Sequence, residues 1–170
     1  PYTTLFRSGV EGAYSFGAMK EFFDDTITSF HVDTWKEAME AITRGEADYA
    51  VLPIENSTAG IVSDIYDLLV EYPHYIVGEQ ELPVEHVLMA LPGAKVEEIR
   101  TVISHPQALA QCRRFLDSNE NWKTEERLNT AAAAKEVSES GDLTMAAVGS
   151  PYAAEHFGLQ ILKEGIFDAR

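Results

Sequence analysis

Positive charge is scarce in this chain: 13 Lys and Arg stand against 28 Asp and Glu in 170 residues, a formal net charge of −15. A surface of that sign repels polyphosphates and anionic lipid, which excludes nonspecific nucleic-acid binding and attachment to an acidic membrane surface. An anionic small molecule remains admissible if local donors hold it against that field. Cysteine is scarcer still. Cys112 alone cannot make an internal disulfide, and one thiol fits a reducing compartment, so a cytoplasmic location is expected. No apolar run approaches the roughly 18–20 residues of a membrane-spanning helix, and no secretory signal is legible. His31, His74, His86 and His156 lack ligand spacing, so no metal site is expected. Also missing are a Gly-rich dinucleotide fingerprint, a phosphate-binding Gly-x-x-x-x-Gly-Lys run and the Gly-x-Ser-x-Gly elbow of a hydrolytic serine.

What is present suits a packed α/β protein. With 45% hydrophobic and 24% charged residues, the chain is long enough for one compact domain or two small lobes. The most informative stretch runs from Ala47 to Gly60. Residues 49–52 are apolar and read as a strand buried on both faces, and Pro53, with no N–H for a ladder, ends it. Glu55, Asn56, Ser57 and Thr58 follow, then Gly60 and a segment with Ile61, Ile65, Leu68 and Leu69 at helical spacing. Polar groups and free helix N–H donors thus meet at a strand's carboxyl end, where open α/β sheets place ligands.

The same motif recurs. A glycine-containing loop over 9–15 leads into a helix over 16–23, and 29–32 reads as a short strand. Thr34 and Glu37 make a capping box for a helix over 35–44 that stops before Gly45. Further strands are expected at 75–79, 84–91, 101–103, 122–128 and 145–148, with 159–166 extended. Ser104 or His105 caps a helix that Pro106 opens and that runs to about Asp117; Asn129-Thr130 opens an alanine-rich one, and Ser150-Pro151 a short one. Each helix N-terminus supplies unsatisfied N–H donors and about half a positive charge. Several converging would bind an anion with hardly any Lys or Arg. For Thr34 and Ser150 plain capping suffices. Tyr66, Leu69, Phe115 and Cys112 read as core.

The clustering of Glu55, Asn56 and Ser57 exceeds what a cap requires, which marks a site. Ser104-His105 does not make a nucleophile–base pair, because adjacent residues rarely reach that geometry. Gln107 and Gln111, four apart, lie near one helix face and can address the same cleft.

Taken together, residues 9–15, the Pro-Ile-Glu-Asn-Ser-x-x-Gly of 53–60, Gly78-Glu79, the run from Ser104 to Cys112 and Thr130 with the four alanines after it resemble the catalytic domain of prephenate dehydratase, from Gly9 to about Asp168. The resemblance implies two α/β lobes with a cleft between them, similar to type II periplasmic binding proteins. Lobe 1 maps to 9–79 plus 159–170, and lobe 2 to 80–158. It also implies decarboxylating dehydration of prephenate to phenylpyruvate in phenylalanine biosynthesis, without cofactor or metal. By similarity, Asn56 and Gln111 bind and orient the substrate, with Glu55 and Ser104 supporting them. Ser15, Ser57, Thr58, Gln107 and Thr130 are implied contacts for its carboxylates. A homo-oligomer is implied for the full-length protein, and phenylalanine would bind a regulatory ACT domain that this sequence does not include.

Two departures qualify the resemblance. The family's Thr-Arg-Phe motif, whose threonine is taken as the proton donor, does not occur; the sequence ends Ile166-Phe167-Asp168-Ala169-Arg170. Little or no dehydratase turnover is therefore expected of this polypeptide by itself. Residues 1–8, Pro-Tyr-Thr-Thr-Leu-Phe-Arg-Ser, match one-frame translation of a common sequencing adapter, and are expected to be non-native or disordered. The alternative function, from another class, is a periplasmic-binding-protein-like module that binds an amino or keto acid without catalysis.

Overall fold

The computed structural model describes residues 4–8, 13–23, 27–56 and 60–168, without the side chains of Arg7, Ser8 and Asn56. The chain divides into two compact units. The first takes Pro1–Val10 and Ser15–Leu82, and the second Glu11–Tyr14 and Pro83–Arg170.

The first unit is built on β1 (Thr4–Ser8), followed by α1 (Tyr14–Phe22), β2 (Thr28–Val32), α2 (Trp35–Thr43) and β3 (Tyr49–Val51). Its parallel sheet has the order β2-β1-β3, with Leu5 opposite Ser29 on one side and Tyr49 on the other. Of the segment 1–8, expected to be non-native or disordered, residues 1–3 lie outside the described residues. Thr4–Ser8 is the central strand, and Leu5 is fully buried. The apolar pair Leu5-Phe6 completes the β–α–β alternation of which the later segments are the rest. The Thr34–Glu37 capping box forms as expected: the Glu37 N–H donates to the Thr34 hydroxyl and the Glu37 carboxylate accepts from the Thr34 N–H. That fixes α2 with Ala38, Met39 and Ala41 buried.

After β3 the structure departs from expectation. Tyr49–Val51 is an edge strand that buries neither face fully. Glu55 and Asn56 do not open a helix. They form β4 (Glu55–Asn56), paired antiparallel with β5 (Gly60–Ile61), and α3 (Ser63–Glu71) starts only afterwards, behind Val62. Gly60 takes φ of +81°, the left-handed region that glycine enters without strain, so a hairpin costs little here. Residues 75–79 make no strand, and Tyr75 and Val77 are 92% and 67% exposed. β propensity alone does not make a strand without a partner edge, and among the described residues none pairs with it. Tyr66, expected in the core, is exposed.

The second unit comprises β6 (Val87–Ala90), a 3-10 turn at Val96–Glu98, β7 (Thr101–Ser104), α4 (Pro106–Gln111), α5 (Arg113–Asp117), β8 (Lys123–Glu126), α6 (Thr130–Ser140), β9 (Met145–Gly149), α7 (Pro151–His156) and β10 (Gln160–Lys163). Its sheet runs β10-β6-β9-β7-β8, with β7, β8 and β9 parallel and β6 antiparallel to both β9 and β10. The strands alternate their burial between two faces. Leu88, Ala90, Val102, Ala146 and Val148 pack with Ala108, Cys112 and Leu116. Val87, Met89, Ile103 and Ala147 pack with Ala133, Ala134, Val137, Ala153 and Ala154. Burial on both faces explains why these strands read as unbroken apolar runs.

Two further expectations change. The helix from Pro106 breaks at Cys112, whose φ of −116° and ψ of 19° are not helical, giving α4 and α5. Residues 159–166, expected in the first lobe, belong to the second unit: β10 pairs with β6, and Leu159 and Ile166 are buried in that unit's core. An antiparallel strand needs only an open edge, and β6 offers one.

Candidate active site

Topology gathers four of the nine candidate residues, Ser104, Gln107, Gln111 and Thr130, at one edge of the second sheet. Ser104 ends β7 beside Glu126 of β8, and Val87, which begins antiparallel β6, lies opposite Gly149, which ends β9. The carboxyl ends of the parallel strands, the start of β6 and the exit of β10 therefore share one edge, the edge where open α/β sheets take ligands. Three helices open there with their caps filled. The His105 ring Nδ1 accepts from Gln107 N–H (3.2 Å), Asn129 Oδ1 from Ala132 N–H (2.7 Å) and Ser150 Oγ from Ala153 N–H (3.0 Å). Thr130 is the first residue of α6. A methyl group on Gly149 would meet its Cβ at 3.4 Å and Met89 Cε at 3.3 Å, so the missing side chain lets α6 sit this close to the strand end.

Ser104 is fully buried, and its hydroxyl donates to the Val148 carbonyl at 2.6 Å. Its proton is committed to tying β7 to β9, which leaves its oxygen as an acceptor. Gln107 sits exposed in the first turn of α4, whereas Gln111 at that helix's end is half-buried. Gln111 Oε1 lies 2.7 Å from His86 Nε2. The other ring nitrogen, Nδ1, is 3.0 Å from the Tyr14 hydroxyl, which also reaches the Glu85 carbonyl at 2.8 Å. Phe167 packs on the same imidazole, with ring centroids 5.7 Å apart. Burial pushes the His86 pKa down, with the Gln111 bond opposing it, and burial above all holds the Tyr14 phenol protonated.

The main chain of Gln111 is also held. Asp168 N–H donates to the Gln111 carbonyl (2.7 Å), and Asp168 Oδ2 accepts from Arg114 N–H (3.1 Å), so a distant carboxylate caps α5. Fully buried Cys112 lies beside it. Burial, then the Asp168 charge, pushes its thiol up to about 12.

In the first unit, Glu55 is exposed on the β4–β5 hairpin, Asn56 follows it, and Ser15 is the second residue of α1. Ser57 and Thr58 lie outside the described residues, as does the Asn56 side chain. Among the described residues no group of three His, Cys, Asp or Glu side chains is placed to hold a metal ion.

A family model described as prephenate dehydratase matches residues 6–170. The chain belongs to the prephenate dehydratase family. It is 44% identical over 161 residues to arogenate dehydratase 1 of Petunia hybrida, a match covering 94% of this chain and 38% of that protein. Its fold is similar to that of prephenate dehydratase from Arthrobacter aurescens in complex with L-Phe (TM-score 0.84, 30% identity, 98% of this chain and 56% of that one). It is also similar to GqqA, described as a novel type of quorum quenching acylase (TM-score 0.88, 36% identity, 98% and 60%). The chain thus spans 38% of that curated relative and 56% and 60% of these two solved structures. The two-unit α/β architecture expected from the family resemblance is the one these structures share.

Within this family domain, His86 is the residue that sequence reading passed over. Its spacing to other histidines is uninformative, and a lone histidine before an apolar strand reads as core. The available signal was its position immediately N-terminal to β6, since an antiparallel neighbour starts where parallel strands end. The geometry also sets an expectation for Cys112. In the native dehydratase domain its thiol should resist modification by a disulfide reagent at pH 8 and react fully on unfolding. Fast labelling of native protein would contradict the burial described here.

Proposed function

We propose that this domain catalyses the decarboxylating dehydration of prephenate, or of its amino analogue arogenate, in phenylalanine biosynthesis. The observation that carries this reading is the setting of Gln111. Its amide oxygen lies 2.7 Å from His86 Nε2, and its helix opens at the sheet edge where open α/β sheets take ligands. In the reaction the bond from ring to carboxylate breaks and releases carbon dioxide. Its electron pair enters the ring, and the ring hydroxide departs with a proton as water. Aromatisation supplies the driving force, so no redox partner is required. The protein's work is to hold a dianion in one orientation and assist hydroxide departure. From the family resemblance, Gln111, Asn56 and Glu55 are the groups proposed to hold it. Ser104 supports Gln111's end of the sheet, and Thr130, Gln107, Ser15, Ser57 and Thr58 are proposed carboxylate contacts.

Acyl transfer, the chemistry in GqqA's description, fits this edge less well. Ser104 has its proton committed to Val148, and Cys112 is buried with a raised pKa, so neither is an activated nucleophile. The same reading proposes a cytoplasmic, homo-oligomeric full-length enzyme under phenylalanine control.

The test is turnover of the protein expressed from its complete open reading frame, assayed in parallel with prephenate and arogenate in the presence of a chelator. Formation of phenylpyruvate or phenylalanine supports the proposal, and the ratio of the two assigns the substrate. Tight binding of either compound without product would replace it with the binding-module reading.

A further inference from the structure

We propose that Asp168 is a positioning residue for substrate binding: it inserts into the hydrogen-bond ladder between α4 and α5, breaks the helix at Cys112 and so holds Gln111 at the end of α4. This inference rests on the dehydratase reading above, in which Gln111 helps to hold the substrate.

The break has no cause in its own stretch of chain. Residues 110–113 are Ala, Gln, Cys and Arg, with neither the proline nor the glycine that commonly interrupts a helix. Apolar spacing through Ala108, Cys112 and Leu116 suits one continuous helix, and all three are buried in the same core cluster. Yet Cys112 takes φ of −116° and ψ of 19°, and its N–H reaches back only three residues, to the Leu109 carbonyl at 3.3 Å. Of the usual causes of a kink, the structure shows one here: a group inserted into the ladder.

Asp168 is that group. In an unbroken helix the Gln111 carbonyl would accept from Phe115 N–H, and Arg114 N–H would donate to the Ala110 carbonyl. Asp168 takes one partner of each bond. Its own N–H donates to the Gln111 carbonyl at 2.7 Å, and its Oδ2 accepts from Arg114 N–H at 3.1 Å. One residue thus stands in for two consecutive ladder bonds. Helical spacing resumes where Leu116 N–H donates to the Cys112 carbonyl at 3.0 Å. The two residues before Asp168 keep it in place. Ile166 is 3% exposed, in the core cluster that holds Ala108, Cys112 and Leu116, and the Phe167 ring packs on His86.

For Gln111 the consequence is positional. A six-residue helix is marginal by itself, and helix ends fray. Here the last residue has its side chain 2.7 Å from His86 Nε2 and its carbonyl fastened by Asp168. Continued through Cys112, the helix would give up that main-chain bond, and Gln111 would shift with it. Plain capping of α5 accounts for the Asp168 carboxylate, but not for its N–H on Gln111.

Spectra and kinetics test this separately. In the chain labelled with 13C and 15N, the Cys112 Cα shift should be nonhelical. A coupling across the hydrogen bond should also join the Asp168 nitrogen to the Gln111 carbonyl carbon. Asp168→Ala frees Arg114 N–H for the Ala110 carbonyl, so the Cys112 Cα shift should move to a helical value. A missing coupling, or a folded Asp168→Ala with an unchanged Cys112 shift, overturns the proposal without any assay of activity. In the protein from the complete reading frame, Asp168→Ala should lower kcat/KM by about 10–100-fold. Asp168→Asn keeps an acceptor oxygen for Arg114 N–H and should recover most of that loss. In a Gln111→Ala background Asp168→Ala should cause little further loss, because its effect runs through that residue. Additive losses, a folded Asp168→Ala with parental kcat/KM, or a folded Asp168→Asn as poor as Asp168→Ala, would sink the proposal. Should Asp168→Ala fail to fold, the wild-type coupling and Asp168→Asn still decide, and a folded Asn variant that loses about tenfold or more counts against it. Absence of turnover in the unaltered full-length protein would overturn the dehydratase reading and leave the helix break to be decided by the spectra alone.

Discussion

Removing residues 1–8 should abolish the sheet of the first unit. Among the described residues β2 and β3 each pair with β1 and with no other strand, so the described inter-strand bonds of that sheet run through Thr4–Ser8. The strand is further tied at its start, where Asp48 N–H donates to the Thr4 carbonyl and the Asp48 carboxylate accepts from Thr4 N–H, both at 2.8 Å. Two strands left without a common partner cannot form a sheet of their own, and a pair of isolated β-segments is marginal in water at best. A milder version of the experiment is Leu5→Ala. A fully buried leucine at the centre of a three-stranded sheet should cost about 2–5 kcal/mol on truncation. Hydrogen exchange resolves the outcome by element: amides of Thr28–Val32 and Tyr49–Val51 should lose protection in the deletion, while those of Val87–Ala90 and Met145–Gly149 keep it. Protection that persists in β2 and β3 would mean that this stretch contributes nothing to the fold.

Gln111→Glu should lower kcat/KM at least about a hundredfold with the fold intact. The substitution is nearly isosteric and keeps an oxygen for His86 Nε2, so no buried donor is stranded. What changes is the other atom of the group: an N–H2 donor becomes an acceptor with negative charge, which repels the proposed dianionic substrate. Lost attraction and added repulsion act in the same direction. Thermal unfolding and circular dichroism should match the parent protein. A variant with near-parental turnover would remove Gln111 from substrate binding, and with it the main support for the site proposed here.

The sequence made local features legible where one residue type has one physical use. Thr34 with Glu37, Pro106 at a first helical position, Asn129 and Ser150 all cap as expected, because a side-chain oxygen before an apolar-periodic segment has few other roles. The doubly buried strands of the second sheet were legible from their unbroken apolar runs. Failures came where pairing decides. Residues 75–79 have the composition of a strand and no edge to join, whereas 159–163 found one on β6 rather than in the first lobe. The Glu55-Asn56 pair was misread as a helix opening because polar residues serve hairpins and caps alike. Residues 1–8 were discounted for their likeness to an adapter, although Leu5 alone carries a core position. At the site, Gln111 was legible from its helix and motif. His86 was not, since nothing in a linear pattern shows that residues 25 apart share a hydrogen bond.

Among its described contacts, Gln111 is held by its side chain to the residue before β6 and by its main chain to Asp168 beyond β10. Its amide is therefore a lever whose fulcrum belongs to the tail. Tension, cleavage or substitution anywhere along 164–168 would tilt it without touching a substrate-facing atom, and kinetic losses mapped to that tail would be losses of aim.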